Sequence, residues 1–435
     1  MSDWKEINHS RWQHVVYYEW HMDIRAGGPT GYLANLLEGL NHIPNSTDPL
    51  IVFETAKKQA PQQPEQLKKI YQWIHAYVDK NEQRKRFYVN HISRHSKQEH
   101  DNYVQFLSHA DRMYCIPELF QRIDLKRTKT IHVHTVGDAV KVKNSLKKAG
   151  ADHTKVILTS HTPEAPSDEY YKGYLEQWYS KERAEQIKRL WRQVERKAFT
   201  DADLLVFPCK EAMEPLRATM DGFDALIRGK DIRFVPSGAK QLVSRLSKEE
   251  AKKKYGLEGK FVVGYVGRHN QIKGYDILQK AAKKIWKQQK DICFLIGGAQ
   301  GNAFLPLSDQ RWREAGWVDP ADLFQALDVF VLPNRMTYFD LVLLEAMSMG
   351  TAVIASDTGG NKTVQNTTQA LQLFDGTPES LAAQILDFFR KSQEEQEAMR
   401  KNIQVAYMQH YTPELFAGRY VELVQQIYAD YRWKE

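Results

Sequence analysis

Apolar residues in this chain come in short runs, and longer polar stretches of helical period separate them. HVVYYEW, residues 14–20, predicts a first strand, residues 32–40 the helix that follows it, and residues 50–54 a short second strand. Further strands are expected at 130–134, 155–160, 204–207 and 232–235. Residues 169–199 read as one long charged helix, with Tyr171, Tyr174, Trp178, Leu190, Trp191 and Val194 at roughly helical spacing. A second alternation begins at Phe261 with the runs FVVGYV, CFLIGGA, VFVLP and TAVIAS, and residues 412–432 predict a closing amphipathic helix. Short apolar strands alternating with helices signal α/β architecture with parallel, doubly wound sheets. Residues 236–259, a Pro-Ser-Gly turn followed by SKEEAKKKYG, divide the chain into two such units. From 57 to about 124 the chain is polar, aromatic and basic. A helix opening at Pro64 and packing around Trp73, Tyr77 and Phe106 is expected there, with no recognisable chemistry.

Three segments carry chemistry. The stretch LPNRMTYFDLVLLEAMSMGTAVIASDTGGN, residues 332–361, reads as a strand end, a polar loop, a helix, a buried strand and a glycine turn. Its helix holds one acid, Glu345, in an otherwise apolar or small run. Burying that carboxylate costs several kcal/mol unless it has a partner. Either Glu345 caps a core helix, or it accepts hydrogen bonds from a ligand's hydroxyls. The turn Thr358-Gly359-Gly360-Asn361 lets backbone N–H groups approach an anion. Upstream, FVVGYVGRHNQIKGYDILQKAAKKI places Arg268 directly after a strand, and Lys273 just before Gly274 and a new helix. Two cations and a helix N-terminus then stand at the carboxyl end of a strand, where open α/β sheets bind ligands. Arginine's planar fork and lysine's point charge suit a diphosphate, and a solvated basic loop is the plain alternative. Near the N-terminus, Arg25-Ala26-Gly27-Gly28-Pro29-Thr30-Gly31 feeds an amphipathic helix. It is not GxGxxG and no acid follows about 20 residues on after a second strand, which argues against a nicotinamide site.

Together these segments resemble the family 4 glycosyltransferases of the GT-B fold, retaining enzymes that use nucleotide-sugar donors. Gly27-Gly28, Val266-Gly267-Arg268 with Lys273-Gly274, and Glu345-Ala346-Met347 through Gly350 carry the match. It is dense over 258–365 and looser over 1–240. The resemblance implies two Rossmann-like domains facing across a cleft: 1–240 for the acceptor, 258–411 for the nucleotide sugar, and 412–435 as a helix crossing back. It implies catalytic roles for His134, Arg268, Lys273 and Glu345, with the two cations on the diphosphate, Glu345 on the ribose and His134 near the donor sugar. Donor contacts are implied for Gly27, Gly28, Gly267, Gly298, Val318, Thr337, Asp340, Leu341, Gly359 and Gly360, and acceptor contacts for His161 and Glu164. Gly297-Gly298 corresponds to a turn beneath the base, and Gly316-Trp317-Val318 to a short strand whose backbone reads the base edge. No metal, cofactor or protein nucleophile is expected.

One departure stands out. Thr337 lies eight residues before Glu345, where the family has its first glutamate, and Asp340 replaces the usual glycine. A hydroxyl in place of a carboxylate loses charge-assisted bonding of about 1–2 kcal/mol. That implies a different sugar, a different sugar pose, or a weakened or non-catalytic nucleotide-sugar-binding protein.

Other candidates are less specific. His132 and His134 share one strand face, but no third metal ligand accompanies them. Glu164, Asp168 and Glu169 either line the acceptor site or cap the next helix. A net charge of +7 favours anionic partners, namely nucleotide diphosphates, acidic lipid headgroups or nucleic acid. No zinc-ligand spacing, recognition motif or arginine-rich arm supports nucleic acid. Cys115, Cys209 and Cys293 sit in or near apolar runs and read as reduced core residues. The N-terminal residues lack the apolar core of a secretory leader, and no apolar run approaches the roughly 18 residues that span a bilayer. The expectation is a cytoplasmic, at most peripherally membrane-bound transferase that acts on a glycan or polyprenyl-diphosphate-linked acceptor in surface polysaccharide synthesis of the O-antigen or capsule type.

Overall fold

A computed structural model describes residues 13–18, 28–43, 50–55, 118–121, 123–176, 180–298 and 304–431. Gly27, Cys115 and the helical stretch expected around Trp73, Tyr77 and Phe106 lie outside the described residues. Two all-parallel sheets organise the rest. The first is built from β1 (Gln13–Tyr18), β2 (Leu50–Thr55), β3 (Thr128–Val133), β4 (Lys155–Leu158), β5 (Leu204–Phe207) and β6 (Asp231–Phe234), in the order β2-β1-β3-β4-β5-β6. The second is built from β7 (Phe261–Val266), β8 (Ile292–Gly297), β9 (Trp312–Gly316), β10 (Val329–Leu332), β11 (Ala352–Ser356) and β12 (Gln372–Phe374), in the order β12-β11-β10-β7-β8-β9. Strands β5, β8, β10 and β11 are buried at every position, which is why their sequences are continuous rather than alternating apolar runs.

The helices that position the site are α1 (Gly28–His42), α2 (Val136–Lys148), α3 (Lys181–Asp201), α4 (Glu214–Thr219), α5 (Tyr275–Ile285), α6 (Leu341–Ser348), α7 (Gly360–Gln365), α8 (Pro378–Arg390), α9 (Gln393–His410) and α10 (Pro413–Asp430). Local chemistry starts several of them. Thr135 caps α2, a Ser392–Glu395 capping box opens α9, and Thr412 with Pro413 opens α10. On α10, Phe416, Tyr420, Leu423, Val424 and Ile427 recur at helical spacing and are buried. They share one core with Val16, Tyr32, Leu33, Leu36 and Ile157, so the last helix packs into the first unit. Gly39 allows this approach: a Cβ there would stand 2.0 Å from the Pro413 carbonyl oxygen.

A closed polar chain ties α10 to the first sheet. The Thr159 hydroxyl donates to the Val206 carbonyl at 3.0 Å, so it accepts from His132 Nε2–H at 2.8 Å. His132 Nδ1 is therefore an acceptor, and it takes the Tyr420 hydroxyl proton at 2.6 Å. The Tyr420 oxygen then accepts from His14 Nε2–H at 2.9 Å, and His14 Nδ1 accepts from Thr130 at 2.6 Å. Each member has a partner, and both imidazoles are neutral because burial pushes His132 well below its ordinary range and His14 down to about 3.

Two readings of the sequence need correction. Residues 169–199 are not one helix. A short helix, Pro166–Tyr170, and a π turn, Tyr171–Leu175, precede α3. Buried Glu195 of α3 accepts from the Ser167 backbone and hydroxyl at 2.8 and 2.9 Å, while Asp168 pairs with Lys188 and Arg192. These contacts fold the short helix onto the long one, and apolar periodicity cannot register them. The strand assigned to 316–318 instead spans Trp312–Gly316, with Val318 beyond its end. WREAG is a mostly exposed edge strand without an apolar signature.

Tyr420→Phe would leave the His14 donor and the His132 acceptor without partners in the core. A loss of about 2–3 kcal/mol is expected in denaturant unfolding, and a loss under about 0.5 kcal/mol would show that the network is not an anchor. The unfolded chain takes up protons at these histidines below about pH 6.5, whereas the folded chain does not. Their contribution is therefore complete above that pH and declines as pH falls from 6.5 toward 5. Melting at pH 7.5, 6.5 and 5.5 checks it.

Candidate functional site

Strand order in the second sheet reverses between β7 and β10, and the crevice outside their carboxyl ends is the binding position of such sheets. From β7 the chain enters Gly267 and Arg268. Gly298, at the end of β8, covers Gly267 with φ +118°, and a Cβ there would lie 2.1 Å from the Gly267 oxygen, so the position needs glycine. Gly298 also donates to the Gly316 carbonyl at 2.8 Å, which brings the ends of β8 and β9 together, with Trp317 exposed beside them and Val318 following.

Lys273 reaches the crevice from the turn before α5, its backbone N–H held by Asn270 Oδ1 at 2.9 Å. Its ammonium lies 2.6 Å from Asp340 Oδ1, and the Asn334 amide holds the other Asp340 oxygen. Asp340 occupies the N-cap position of α6 but makes no cap bond, since its carboxylate is turned to Lys273. Leu341 begins α6 and meets α1 of the first unit, where a Cβ on Gly31 would stand 2.9 Å from Leu341 Cδ1. Gly28, also on α1, faces the His161 carbonyl.

Glu345 lies in the middle of α6, half-buried, so it is not the cap. Its carboxylate has no hydrogen bond or ion pair with any described residue, and burial pushes its pKa up to about 7. An unpaired, desolvated carboxylate is costly, and such groups concentrate at functional sites.

The two units meet across this crevice through ion pairs. Exposed Arg268 lies 3.2 Å from Glu169 of the first unit. Glu214 of α4 accepts from the Gly359 N–H at 3.0 Å and pairs with Lys362 at 2.9 Å, and Thr363 donates to Glu211 at 2.7 Å. The Thr358–Asn361 turn therefore does hold an anion, a carboxylate from the same chain. Gly359 has φ +48°, and a Cβ there would lie 1.9 Å from the Thr337 oxygen, while Gly360 packs on Tyr338 and Phe339. Thr337 is wholly buried and its hydroxyl has no partner among the described residues.

On the first unit, His134 follows β3 and His161 follows β4. His134 Nδ1 and His161 Nε2 share a hydrogen bond of 2.9 Å, and Tyr32 of α1 lies against both rings. Burial holds both imidazoles neutral, His161 at about 3 and His134 well below its ordinary range. His132 stacks beside His134 with both of its nitrogens engaged, which leaves it no lone pair for a metal. Among the described residues no group of three or more His, Cys, Asp or Glu side chains is placed to hold a metal ion. None of Glu164, Asp168 and Glu169 caps the helix they precede or begin, contrary to the expectation of capping. Ala165 occupies the cap, Glu164 pairs with Lys172, Asp168 with Lys188 and Arg192, and Glu169 with Arg268. Cys209 and Cys293 are buried and free.

Arg268, Lys273, Gly298, Asp340 and Leu341 follow the carboxyl ends of β7, β8 and β10, with Glu345 further along α6, and the neutral His134 and His161 follow β3 and β4 of the first unit. Glu164 is held in its ion pair with Lys172, and the Gly267 N–H donates to the Gly297 carbonyl at 3.1 Å. Sequence reasoning missed Glu214, Asn334, Tyr32 and Tyr338, and none of these positions carries a local signal of its role.

Two doubly wound domains that close on a cationic switch point form the GT-B architecture. Solved structures share it over nearly the whole chain. Sucrose-phosphate synthase (tll1590) from Thermosynechococcus elongatus aligns with TM-score 0.60 at 17% identity, over 97% of this chain and 100% of that one. Anabaena Alr3699/HepE in complex with UDP and glucose aligns with TM-score 0.56 at 13% identity, over 96% and 100%. Residues 260–391 match the Glycosyl transferases group 1 family, within the stretch where the motifs resemble family 4. Among curated relatives, a D-inositol 3-phosphate glycosyltransferase from Corynebacterium jeikeium is 29% identical over 190 residues, 38% of this chain and 44% of that protein. The lipopolysaccharide core biosynthesis mannosyltransferase LpsB of Rhizobium meliloti is 32% identical over 126 residues, 26% and 36% respectively. The chain thus spans less than half the length of these relatives.

Glu345 gains a proton on folding between about pH 4.5 and 7, so its carboxylate weakens the unliganded protein as pH rises through that window. Glu345→Gln is expected to stabilise the protein at pH 8 by about 1–3 kcal/mol and to leave it nearly unchanged at pH 4.5. Equal melting shifts at both pH values would mean that the carboxylate is not desolvated.

Proposed function

We propose that this protein is a retaining, metal-independent glycosyltransferase that moves a sugar from a nucleotide-diphosphate sugar to a hydroxyl of a glycan or polyprenyl-diphosphate-linked acceptor. The observation that carries the reading is Glu345, unpaired and desolvated on α6, the helix whose N-cap residue Asp340 holds Lys273. A carboxylate in that state is matched by the hydroxyls of a ribose, and the two cations by a diphosphate. That one relative is named as a mannosyltransferase of lipopolysaccharide core synthesis, and that a structural neighbour was solved with UDP and glucose, supports the donor class.

Chemistry follows from those roles. As the bond between the anomeric carbon and the phosphate oxygen breaks, negative charge grows on the diphosphate, and Arg268 and Lys273 stabilise it. The sugar becomes oxocarbenium-like. The acceptor hydroxyl attacks from the leaving-group face and passes its proton to the departing phosphate oxygen, so no protein nucleophile is needed. His134 stays neutral and orients the sugar rather than carrying charge. Closing the two domains excludes water and limits hydrolysis of the donor. A basic chain in which no described helix is long and apolar enough to cross a membrane suits a cytoplasmic enzyme working at the inner membrane face on surface polysaccharide. A second reading, nucleotide-sugar binding without turnover, draws on Thr337, which is wholly buried where the family has an acid.

A thermal-shift screen of UDP-, GDP-, ADP-, CMP- and dTDP-sugars tests the site. One nucleotide class should raise the melting temperature by several degrees, and Arg268→Ala should abolish the shift. No shift with any nucleotide would sink the transferase reading. A shift with no sugar release over hours would favour the non-catalytic reading.

A further inference from the structure

Buried polar atoms in folded proteins are almost always hydrogen-bonded, so a cluster of unpartnered ones calls for a partner. Three meet where the two domains touch. The Tyr32 hydroxyl, the Tyr338 hydroxyl and His134 Nε2 are all buried, and none has a hydrogen-bond partner among the described residues. They lie together. The Tyr32 ring is 5.5 Å from His134 and 4.7 Å from His161, and the Tyr338 ring is 5.9 Å from His161. Burial, and after it the Tyr32 hydroxyl and the Cys209 thiol, hold the Tyr338 phenol well above its ordinary range. Tyr32 belongs to α1 of the first domain and Tyr338 to the loop after β10 of the second, so the cluster is a seam between domains rather than part of either core.

Position supplies the partner. Tyr338 stands two residues before Asp340, which holds Lys273, so the cluster begins within one loop turn of the cation assigned to the diphosphate. Whatever is attached to that diphosphate arrives here.

We propose that Tyr338 and Tyr32, with His134, recognise the transferred sugar through its hydroxyls, and that the sugar is an uncharged one. The inference rests on the nucleotide-sugar reading above and adds the sugar class and two residues to it. Phenol hydroxyls and a neutral imidazole donate to and accept from alcohols. A uronate carboxylate at the seam would be buried against them without a cation, at high cost. The sugar enters when the domains part at this seam, the ordinary motion of two domains joined by a linker.

Calorimetric titration of the full chain separates the two readings. Free UDP, GDP and ADP are each compared with their neutral conjugates UDP-glucose, UDP-galactose, GDP-mannose and ADP-glucose, and with UDP-glucuronate. For the nucleotide that binds, a neutral conjugate should bind at least fivefold more tightly than the free diphosphate, and the uronate should lack that gain. Tyr338→Phe and Tyr32→Phe should each remove most of the gain while leaving the free diphosphate within twofold. Circular dichroism and melting curves confirm that each variant is folded. If the gain survives in both variants, or the diphosphate weakens in parallel with the conjugate, the assignment of the two tyrosines falls while the nucleotide site stands. If UDP-glucuronate binds as well as the neutral donors, the sugar class falls. If no nucleotide binds, the nucleotide-sugar reading fails and this inference with it.

Discussion

The Tyr420 hydroxyl is the contact on which the rest of the arrangement turns. It donates to His132 and accepts from His14, so a side chain from the last helix closes a hydrogen-bond chain inside the first sheet. Four of the five groups in that chain come from three strands near the start of the protein, and the fifth comes from about 290 residues later in sequence, His132 and Tyr420 being separated by 288 positions. The tautomers are all fixed by the Thr159 hydroxyl, whose own proton is committed to the Val206 carbonyl. A buried network of this kind is favourable only when complete, and here it is complete in one direction only. The helix is therefore seated in one register, and the chain passes between the domains at both 236–259 and 411–413. Two crossings limit how the domains move and keep their facing edges in line.

What the facing edges share is a pattern of carboxylates resting on anion sites. Asp340 lies on Lys273, Glu169 on Arg268, and Glu214 on the Gly359 N–H and Lys362. Magnitude distinguishes them. The Arg268–Glu169 pair is largely solvated and worth well under about 1 kcal/mol, so it exchanges readily. Lys273 and Asp340 are both mostly buried and are further tied to Asn334, so the same exchange is harder there. Glu345 is the exception, a carboxylate left without a cation where the other three have partners.

Much of this was legible in sequence because the legible parts are local. Arg268 and Lys273 follow an apolar run within a few residues, and a strand end followed by a helix start fixes where such residues point. Glu345 was legible as a lone acid in an apolar helix, although its place in the middle of α6 and not at its cap needed coordinates. The His132 and His134 pair shows the limit. Spacing put them on one face, but only the partners reveal that His132 is tied to Thr159 and Tyr420 and His134 to His161, with a ring nitrogen left over. Glu214 and Tyr338 were not legible at all, and for Glu169 the partner Arg268 was not, since each acts on a residue far away in sequence. The 169–199 segment misled for the same reason, because contacts of Ser167 and Asp168 with α3 override its helical periodicity.

The exchange of Thr337 and Asp340 relative to the family pattern acquires a physical meaning from these contacts. The acid is not lost from the loop but displaced three residues along it. At 337 a carboxylate would be buried beneath the Gly359 turn, where the backbone oxygen of Thr337 already touches that glycine and no cation is in reach among the contacts seen. Threonine removes that cost. At 340 the carboxylate meets Lys273 and Asn334 and is satisfied, but it gives up capping α6. The Asp340 carbonyl still takes the Leu343 N–H at 3.1 Å, but the first turn of α6 has no side-chain cap. Asp340 therefore trades one anion-binding element for another: it lowers the net charge at Lys273 and leaves the helix N-terminus open. The balance at this site is set by hydrogen bonding as much as by charge, which fits a seam whose other polar groups, Tyr32, His134 and Tyr338, are neutral.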